Sequence, residues 1–213
     1  TPQRSLISPA RCSSEDIVRP TSATSAPRPA SLLAMAWPSP SPPAPVQIAY
    51  SHEGRDFGRA LETAGGIVRA LPHLAEVFWV VAGDVFAPDF SFSKHNMAAL
   101  AASGDRARLW LVPNPPHNPK GDFGLDHDRV LNLGAGDART RHTFSTVGLY
   151  KRSFFAPPVC ELPPGNPNGE RQALAPWLRR AMDLGWVNGG LFKHTWVDVG
   201  TPERLAQLRK QYG

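Results

Sequence analysis

Cysteine is almost absent from this chain, which has only Cys12 and Cys160 among its 213 residues. Two cysteines so far apart, without the spacing of metal ligands, argue against a disulfide framework and against a zinc site. Proteins of reducing compartments rarely depend on disulfides. We therefore expect a cytoplasmic protein.

Long apolar runs and basic runs are also missing. No run approaches the roughly 18 residues of a membrane span, and the N-terminus lacks the basic-then-apolar layout of a secretory signal. The net charge is +5, but the arginines are scattered along the chain, so no nucleic-acid-binding face is visible. We expect no membrane and no nucleic-acid partner; a DNA-binding role has only the basic pI of about 9.6 in its favour. The same basicity suits small ligands that carry phosphate.

The first 45 residues differ in composition from the rest of the chain. They hold 10 of the 23 prolines together with many Ser, Ala and Arg residues. Such a segment buries too little apolar surface to offset its ordering entropy, so we predict disorder over 1–45 and a folded domain over 46–213. A transit peptide is one interpretation. GC-rich DNA translated out of frame is another, and the missing initiator Met favours it; one continuous native frame at the locus would exclude it.

From residue 46 onward the pattern is that of an α/β fold. Strands alternating with helices predict a mostly parallel sheet, and two tracts rich in Pro and Gly predict loops. Thr201 as N-cap and Pro202 at the first helical position begin a final helix that runs to Gln211. The other predicted elements are strands over 46–51, 77–82 (a central strand), 107–112 and 143–150, helices over 98–102 and 174–184, and loops over 113–122 and 157–169.

Two aspartates follow apolar stretches and suggest a metal site. The run from Phe78 to Ala82 ends in Gly83 and Asp84, and Asp198 follows Trp196 and Val197 much later in the chain. Ligands of open α/β sheets bind beyond the carboxyl ends of the strands, which is where Asp84 is expected. Mg²⁺ is usually held by one or two carboxylates together with substrate phosphates. The alternative is that Asp84 only opens a turn.

Three further stretches could contact a ligand, although each also has a structural explanation. The glycines in 62–66 precede a helical pattern, so their backbone could approach a base or a phosphate, or could simply form a turn. Asn114 and Gly121 lie on a predicted loop, where polar groups could hold a sugar or face solvent. Thr143 begins a strand whose hydroxyl groups could face a sugar, or could reflect β-propensity alone.

Taken in order, these stretches resemble the sugar-1-phosphate nucleotidyltransferases. The resemblance runs from about Ile48 to Leu208 and rests on 61–67 (LETAGGI), 80–85 (VVAGDV), 112–115 (VPNP) with 121–123 (GDF), 143–145 (TFS) and 196–201 (WVDVGT). It implies a Rossmann-like three-layer α/β sandwich with a mixed central sheet, whose N-terminal βαβ unit is incomplete here. It also implies the reaction, in which a sugar-1-phosphate oxygen attacks the α-phosphorus of a nucleoside triphosphate and pyrophosphate leaves.

The resemblance also implies roles for individual residues. The substrates would be UTP or GTP and a sugar 1-phosphate, and the cofactor would be Mg²⁺, because such chemistry depends on positioning and charge neutralisation. By this resemblance the Mg²⁺ carboxylates, which are also the catalytic residues, are Asp84 and Asp198; the base and ribose contacts are Glu62, Thr63, Gly65 and Gly66; and the sugar contacts are Asn114, Gly121 and Thr143.

One part of the family pattern is not found in these 213 residues. Relatives have a Gly-x-Gly-x-Arg loop followed by Pro-Leu-Thr, and then a Pro-Lys pair, which grip the triphosphate; here the Pro/Ser/Ala-rich segment precedes the domain. We therefore expect this chain to be a weak or inactive enzyme. The alternative is a non-catalytic sugar-nucleotide-binding or regulatory module, which would bind nucleotide with Mg²⁺ but not turn it over. Retention of both aspartates favours enzyme ancestry.

Overall fold

The computed structural model describes residues 48–212. The predicted boundary between 45 and 46 lies outside this range and stays a prediction. The predicted strand over 46–51 is wrong in its described part, since 48–51 is not in a strand.

Five α-helices and eight strands are described. The helices are α1 (Glu53–Phe57), α2 (Glu62–Ala70), α3 (Lys94–Ala102), α4 (Leu174–Asp183) and α5 (Pro202–Tyr212). The strands are β1 (Val77–Val81), β2 (Val85–Phe86), β3 (Ala107–Val112), β4 (Phe123–Asp126), β5 (Arg129–Leu131), β6 (Arg141–Lys151), β7 (Val187–Leu191) and β8 (Val197–Asp198).

The main sheet has six strands in the order β1-β6-β3-β7-β5-β4. Only β3 and β7 run parallel; the other neighbouring pairs are antiparallel. The sheet is thus mixed, as the family resemblance implies, and the mostly parallel sheet expected from alternating elements is wrong. The reason is β6, an eleven-residue strand that enters between β1 and β3 against the direction of both.

Helices cover both faces of this sheet and give three layers. Along β1, Phe78 and Val80 face the larger core with α2 and α4, while Val77 and Trp79 face a smaller core with Leu100 of α3. This alternation follows from the period of two in a strand. It explains why the stretch reads as one continuous apolar run, because both faces of the strand are buried.

The structure corrects the predicted position of β1. Among the described residues β1 lies at the edge of the sheet and pairs only with β6, so it is not a central strand. Apolar sequence alone cannot distinguish the two positions, because helices on both faces bury an edge strand as thoroughly as a central one.

The structure also corrects the predicted loop before α2. The helix begins at Glu62, so Gly65 and Gly66 lie inside it rather than ahead of it. The backbone amides of Ala64 and Gly65 both donate to the carbonyl oxygen of Gln172. A contact distant in sequence therefore satisfies the amides at the start of the helix, which is why no local capping residue signalled the boundary.

Strands β2 and β8 form a separate two-stranded ribbon. It brings the segment before α5 next to the segment that follows β1. Its strands are antiparallel, with Val85 opposite Asp198 and Phe86 opposite Val197. The predicted cap of α5 is confirmed, since the Thr201 hydroxyl accepts a hydrogen bond from the Arg204 amide at 3.3 Å. No helix within residues 48–212 combines the length and the apolar character needed to cross a bilayer.

Candidate active site

The β2–β8 ribbon brings Asp84 and Asp198 together, although 113 positions separate them in the sequence. Asp84 immediately precedes β2, and Asp198 ends β8 opposite Val85. The Val199 amide donates to the Asp84 carbonyl oxygen at 2.8 Å, which continues the ribbon by one more backbone bond. Backbone pairing thus brings the two aspartates to neighbouring positions of the ribbon.

Gly200 shows how closely the two carboxylates converge. A Cβ atom placed on Gly200 would lie 3.0 Å from Oδ2 of Asp84 and 3.2 Å from Oδ1 of Asp198. Both acidic groups therefore border the space that a side chain at this position would fill. Only glycine leaves that space open, and it is where a small cation could meet both carboxylates.

Asp198 already has several partners. Its Oδ1 accepts the Gly200 amide at 2.9 Å, and its Oδ2 accepts an N–H of Arg204 at 2.6 Å. Nε2 of His117 lies 2.9 Å from the same Oδ2 and 3.0 Å from Nη1 of Arg204. Asp84 differs from Asp198 in being exposed to solvent. Its Oδ2 borders the space at Gly200 described above.

A cleft of about 190 Å³ opens beside the two aspartates. Its walls come from the ribbon, from the loop after β3 and from the start of β6, so four separate chain segments meet there. The lining residues are Asp84, Val85, His117, Asn118, Thr143, Phe144, Thr146, Trp196 and Asp198.

The three residues expected to contact sugar form one hydrogen-bonded cluster beside this cleft. The Thr143 hydroxyl donates to Oδ1 of Asn114 at 3.0 Å, and the Asn114 amide donates to the carbonyl oxygens of Pro119 and Arg141. Gly121 has a φ of 63°, and a Cβ there would lie 2.7 Å from Oδ1 of Asn114. Thr143 lines the cleft, whereas the Asn114 side chain is engaged in holding the loop closed.

The same cluster continues into the cleft through Asn118. Its amide donates to the Thr143 hydroxyl and to Oδ1 of Asp122, both at 3.2 Å. Oδ2 of Asp122 in turn accepts the Phe144 amide at 2.8 Å. The loop after β3 is thereby tied to the first residues of β6, which fixes the wall that faces the aspartates.

Strand β6 is irregular where it contributes Thr146 to the lining of the cleft. The pairing with β3 shifts register between Leu109 and Leu111, and Thr146 there has a φ of 62°, a conformation that costs a β-branched residue free energy. The Ser145 carbonyl oxygen accepts the Trp196 indole N–H at 3.1 Å. The bulge therefore anchors Trp196, two residues before Asp198.

The four residues expected to contact base and ribose lie elsewhere, at the start of α2, and none of them lines the cleft. Glu62 pairs with Arg171 at 2.8 Å, and Thr63 is exposed. A Cβ on Gly65 would lie 2.6 Å from the Glu170 carbonyl oxygen, and one on Gly66 would lie 2.7 Å from Oε1 of Glu53. Other parts of the chain thus cover both glycines.

The residues at the cleft fit a metal ion that is shared with a substrate. No set of three or more His, Cys, Asp or Glu side chains within 48–212 is arranged to hold an ion by itself. Two convergent carboxylates are a donor set that Mg²⁺ uses when phosphate and water complete its octahedron. The two carboxylates are compatible with such a site but do not form a complete one by themselves.

Comparison with known proteins places the chain in a family. It is 40% identical to the N-acetylmuramate alpha-1-phosphate uridylyltransferase of Neisseria meningitidis over 172 residues, which cover 79% of this chain and 68% of that protein. The chain belongs to the sugar-1-phosphate nucleotidyltransferases. No family model matches it.

Solved structures agree with this family at the level of the fold. The inositol-1-phosphate CTP transferase of T. maritima has a TM-score of 0.51 at 16% identity, covering 74% of this chain and 67% of that one. A putative glucose-1-phosphate thymidylyltransferase of Bacillus anthracis, in complex with a sucrose, has a TM-score of 0.54 at 14% identity, covering 75% and 68%. The expected three-layer fold with a mixed sheet is thereby confirmed, and the chain is by family a nucleotidyltransferase.

For this nucleotidyltransferase the structure adds two partners of Asp198 that the sequence did not single out, His117 in the cleft and Arg204 beside it. His117 lies in the same Pro-rich loop as Asn114, and Arg204 lies six positions after Asp198, in the first turn of α5. The spacing from Asp198 through the Thr201 cap could have identified Arg204, because N-cap geometry fixes where the first turn begins. Nothing local marks His117, whose place depends on how the loop folds.

Proposed function

We propose that the cleft transfers a uridylyl group from UTP to a sugar 1-phosphate, with Mg²⁺ held by Asp84 and Asp198. One observation supports this most strongly: both carboxylates border the empty space at Gly200, at the mouth of the cleft. The relative from Neisseria meningitidis makes N-acetylmuramate 1-phosphate the first sugar to test and UTP the first nucleotide, with GTP as the alternative.

The division of labour among residues follows from phosphoryl-transfer chemistry. A bound Mg²⁺ would offset the negative charge of the two phosphate-bearing substrates and hold them in line. Thr143 and Asn118 present a hydroxyl group and an amide to the cleft, which suits hydrogen bonds with a sugar. Asn114 and Gly121 act indirectly in this proposal, since they keep the loop in place.

The nucleotide's base and ribose are assigned to the start of α2. Glu62 and Thr63 have accessible side chains there, and Gly65 and Gly66 give the helix a surface without side chains. Because 170–172 and Glu53 now cover the glycines, a base can reach them only if these neighbours move. The proposal therefore includes a local rearrangement of this helix end on nucleotide binding.

We further propose that the 213-residue chain turns over slowly. The cleft of about 190 Å³ is smaller than the roughly 300–1,000 Å³ of ordinary ligand pockets, so it accommodates only part of two substrates. No Gly-x-Gly-x-Arg loop for the triphosphate stands in the printed sequence. In this proposal residues 46–213 form the catalytic domain, and residues 1–45 do not contribute that loop.

The test is formation of the UDP-sugar and pyrophosphate by the full chain. UTP, Mg²⁺ and N-acetylmuramate 1-phosphate are incubated with high enzyme concentrations, with other sugar 1-phosphates and GTP in parallel, and products are quantified by mass spectrometry. We expect turnover below about 1 s⁻¹, which is slow for an enzyme, and its loss in Asp198→Asn. Turnover of ordinary size would contradict the slow-enzyme proposal.

A second outcome would change the proposed function itself. If no product forms and calorimetry still detects Mg²⁺-dependent UTP binding, the chain is a binding module of the same fold. If neither product nor binding is detected in wild type, and Asp198→Asn behaves identically, the assignment of the cleft is wrong. Asp128→Asn is the matched control, because Asp128 is an exposed aspartate outside the cleft.

A further inference from the structure

Asp198, which lines the cleft, has a cationic partner in Arg204. Nη1 of Arg204 donates to its Oδ2 at 2.6 Å, and the two side chains are 28% and 24% exposed, so the pair is partly shielded from water. Charge-assisted hydrogen bonds of this length are among the stronger ones in proteins. Nε2 of His117 approaches the same oxygen at 2.9 Å.

A divalent cation and Arg204 would compete for this oxygen. A cation bound to Oδ2 at about 2 Å would stand close to the guanidinium, and the two positive charges would repel each other. A cation in the space at Gly200, where it would meet Oδ1, would also stand beside the guanidinium, because Nη2 of Arg204 lies 3.5 Å from where a Cβ on Gly200 would stand. Binding of a cation to Asp198 therefore requires the Arg204 side chain to leave or to share its position.

The helix that carries Arg204 is held at both of its ends. The Thr201 hydroxyl caps the Arg204 amide, and at the other end of α5 the Tyr212 ring packs on Phe86 with centroids 5.0 Å apart. A guanidinium released beside the cleft would need a new anion. A phosphate group carried in with the cation meets that need, because guanidinium and phosphate match in geometry and charge.

We propose that Arg204 is a resident counter-ion of Asp198, which competes with the divalent cation and is transferred to a substrate phosphate when cation and nucleotide bind. This inference rests on the proposed function, since it takes Asp198 to be a metal ligand. Its consequence is coupling: the cation alone binds weakly, and cation and triphosphate strengthen each other's binding, as linkage requires. Arg204 is in this sense a positioning residue of the site.

The experiment measures two affinities in the same variants. Mn²⁺ binding without nucleotide is followed by electron paramagnetic resonance, and UTP binding at saturating Mn²⁺ is followed by calorimetry. In Arg204→Gln we expect Mn²⁺ to bind about three- to tenfold more tightly, because its competitor is gone, and UTP to bind about three- to tenfold more weakly. Arg204→Lys keeps the charge and should lie between wild type and Arg204→Gln in both.

Opposite signs distinguish this role from a merely structural one. If Arg204→Gln weakens both ligands, or leaves the affinity for Mn²⁺ or for UTP unchanged, the inference is overturned. Arg209→Gln removes an equal charge from an exposed position on the same helix and controls for general electrostatics. Far-UV circular dichroism checks that each variant is folded.

Asp198→Asn separates failure of this inference from failure of the proposed function. If Asp198→Asn abolishes Mn²⁺ binding while Arg204→Gln changes nothing, Asp198 is a metal ligand and only the counter-ion role is wrong. If Asp198→Asn binds Mn²⁺ as wild type does, Asp198 is no ligand, and both proposals are wrong. If Arg204→Gln binds no detectable Mn²⁺ at any concentration tested, the counter-ion role is likewise refuted.

Discussion

Gly200 is the residue on which the proposed metal site depends most, because of the side chain it lacks. In Gly200→Ala the new methyl carbon would stand 3.0 Å from an oxygen of Asp84 and 3.2 Å from one of Asp198, so it would fill the space that an ion about 2 Å from both oxygens needs. We expect a folded protein whose Mn²⁺ affinity falls about tenfold or more, the loss typical when the surroundings of a metal ligand are disturbed.

Gly136→Ala is the control for this substitution. A Cβ on Gly136 meets no atom within 4 Å, and the residue lies in the loop between β5 and β6. Both variants are compared with wild type by paramagnetic resonance for Mn²⁺ and by thermal melting for stability. Equal Mn²⁺ affinity in Gly200→Ala and wild type would mean that the space at Gly200 is not where the cation binds.

At the scale of elements, α2 is fixed by a close approach of backbone to backbone. A Cβ on Gly65 would lie 2.6 Å from the Glu170 carbonyl oxygen and 3.3 Å from the Gln172 amide nitrogen. Gly65→Ala should therefore lower the free energy of unfolding by about 1–3 kcal/mol, the usual cost of overpacking. Chemical denaturation measures this loss.

Gly54→Ala supplies the matched comparison for α2. Gly54 lies in α1, and a Cβ there meets nothing within 4 Å. Since alanine favours helix over glycine by up to about 1 kcal/mol, Gly54→Ala should leave stability unchanged or raise it. If Gly65→Ala is as stable as Gly54→Ala, segment 170–172 does not hold α2 in the way described here.

The sequence predicted elements well where local pattern determines them and poorly where distant contacts do. β3 has its predicted bounds, 107–112, because its burial alternates along most of its length. The start of α2 was misplaced because Gln172, more than a hundred residues away, accepts the Ala64 and Gly65 amides in its first turn. The position of β1 at the sheet edge, among the described residues, and the antiparallel direction of β6 depend on which strands pair. The periodicity of apolar residues does not show which strands pair.

The same limit applies to the candidate site. The resemblance selected Asp84, Asp198 and Thr143, which do line one cleft. His117 reaches Asp198 only because of how the loop after β3 folds, so no local motif predicts its role, whereas Arg204 follows Asp198 at a spacing set by the Thr201 cap. That the start of α2 binds nucleotide stays a prediction.

At the scale of the whole molecule, a buried polar cluster that stabilises the fold and the candidate site lie at opposite ends of β3. Asp105 precedes β3, while the cleft lies beyond the other end of that strand. The buried Asp105 carboxylate accepts hydrogen bonds from Arg129 at 2.5 Å and from Asn188 at 2.6 Å, joining β3, β5 and β7. The hydrogen bond that Arg129 donates to this carboxylate, together with the carboxylate's charge, raises the pKa of the Arg129 guanidinium.

Asp105→Ala tests this separation. It leaves the buried Asn188 amide without an acceptor and Arg129 without its partner, so the free energy of unfolding should fall by about 1–3 kcal/mol. Mn²⁺ affinity of the folded protein should not change. A loss of Mn²⁺ affinity comparable to that in Gly200→Ala would show instead that the two ends of the sheet are coupled.

The central claim, that Asp84 and Asp198 jointly hold a divalent cation, is tested most directly by anomalous diffraction from a crystal grown with Mn²⁺ and UTP. The account predicts one Mn²⁺ peak about 2 Å from a carboxylate oxygen of each aspartate, with phosphate oxygens completing its coordination. A Mn²⁺ ion bound to neither aspartate or to only one of them, or no peak in the cleft at all, would contradict it.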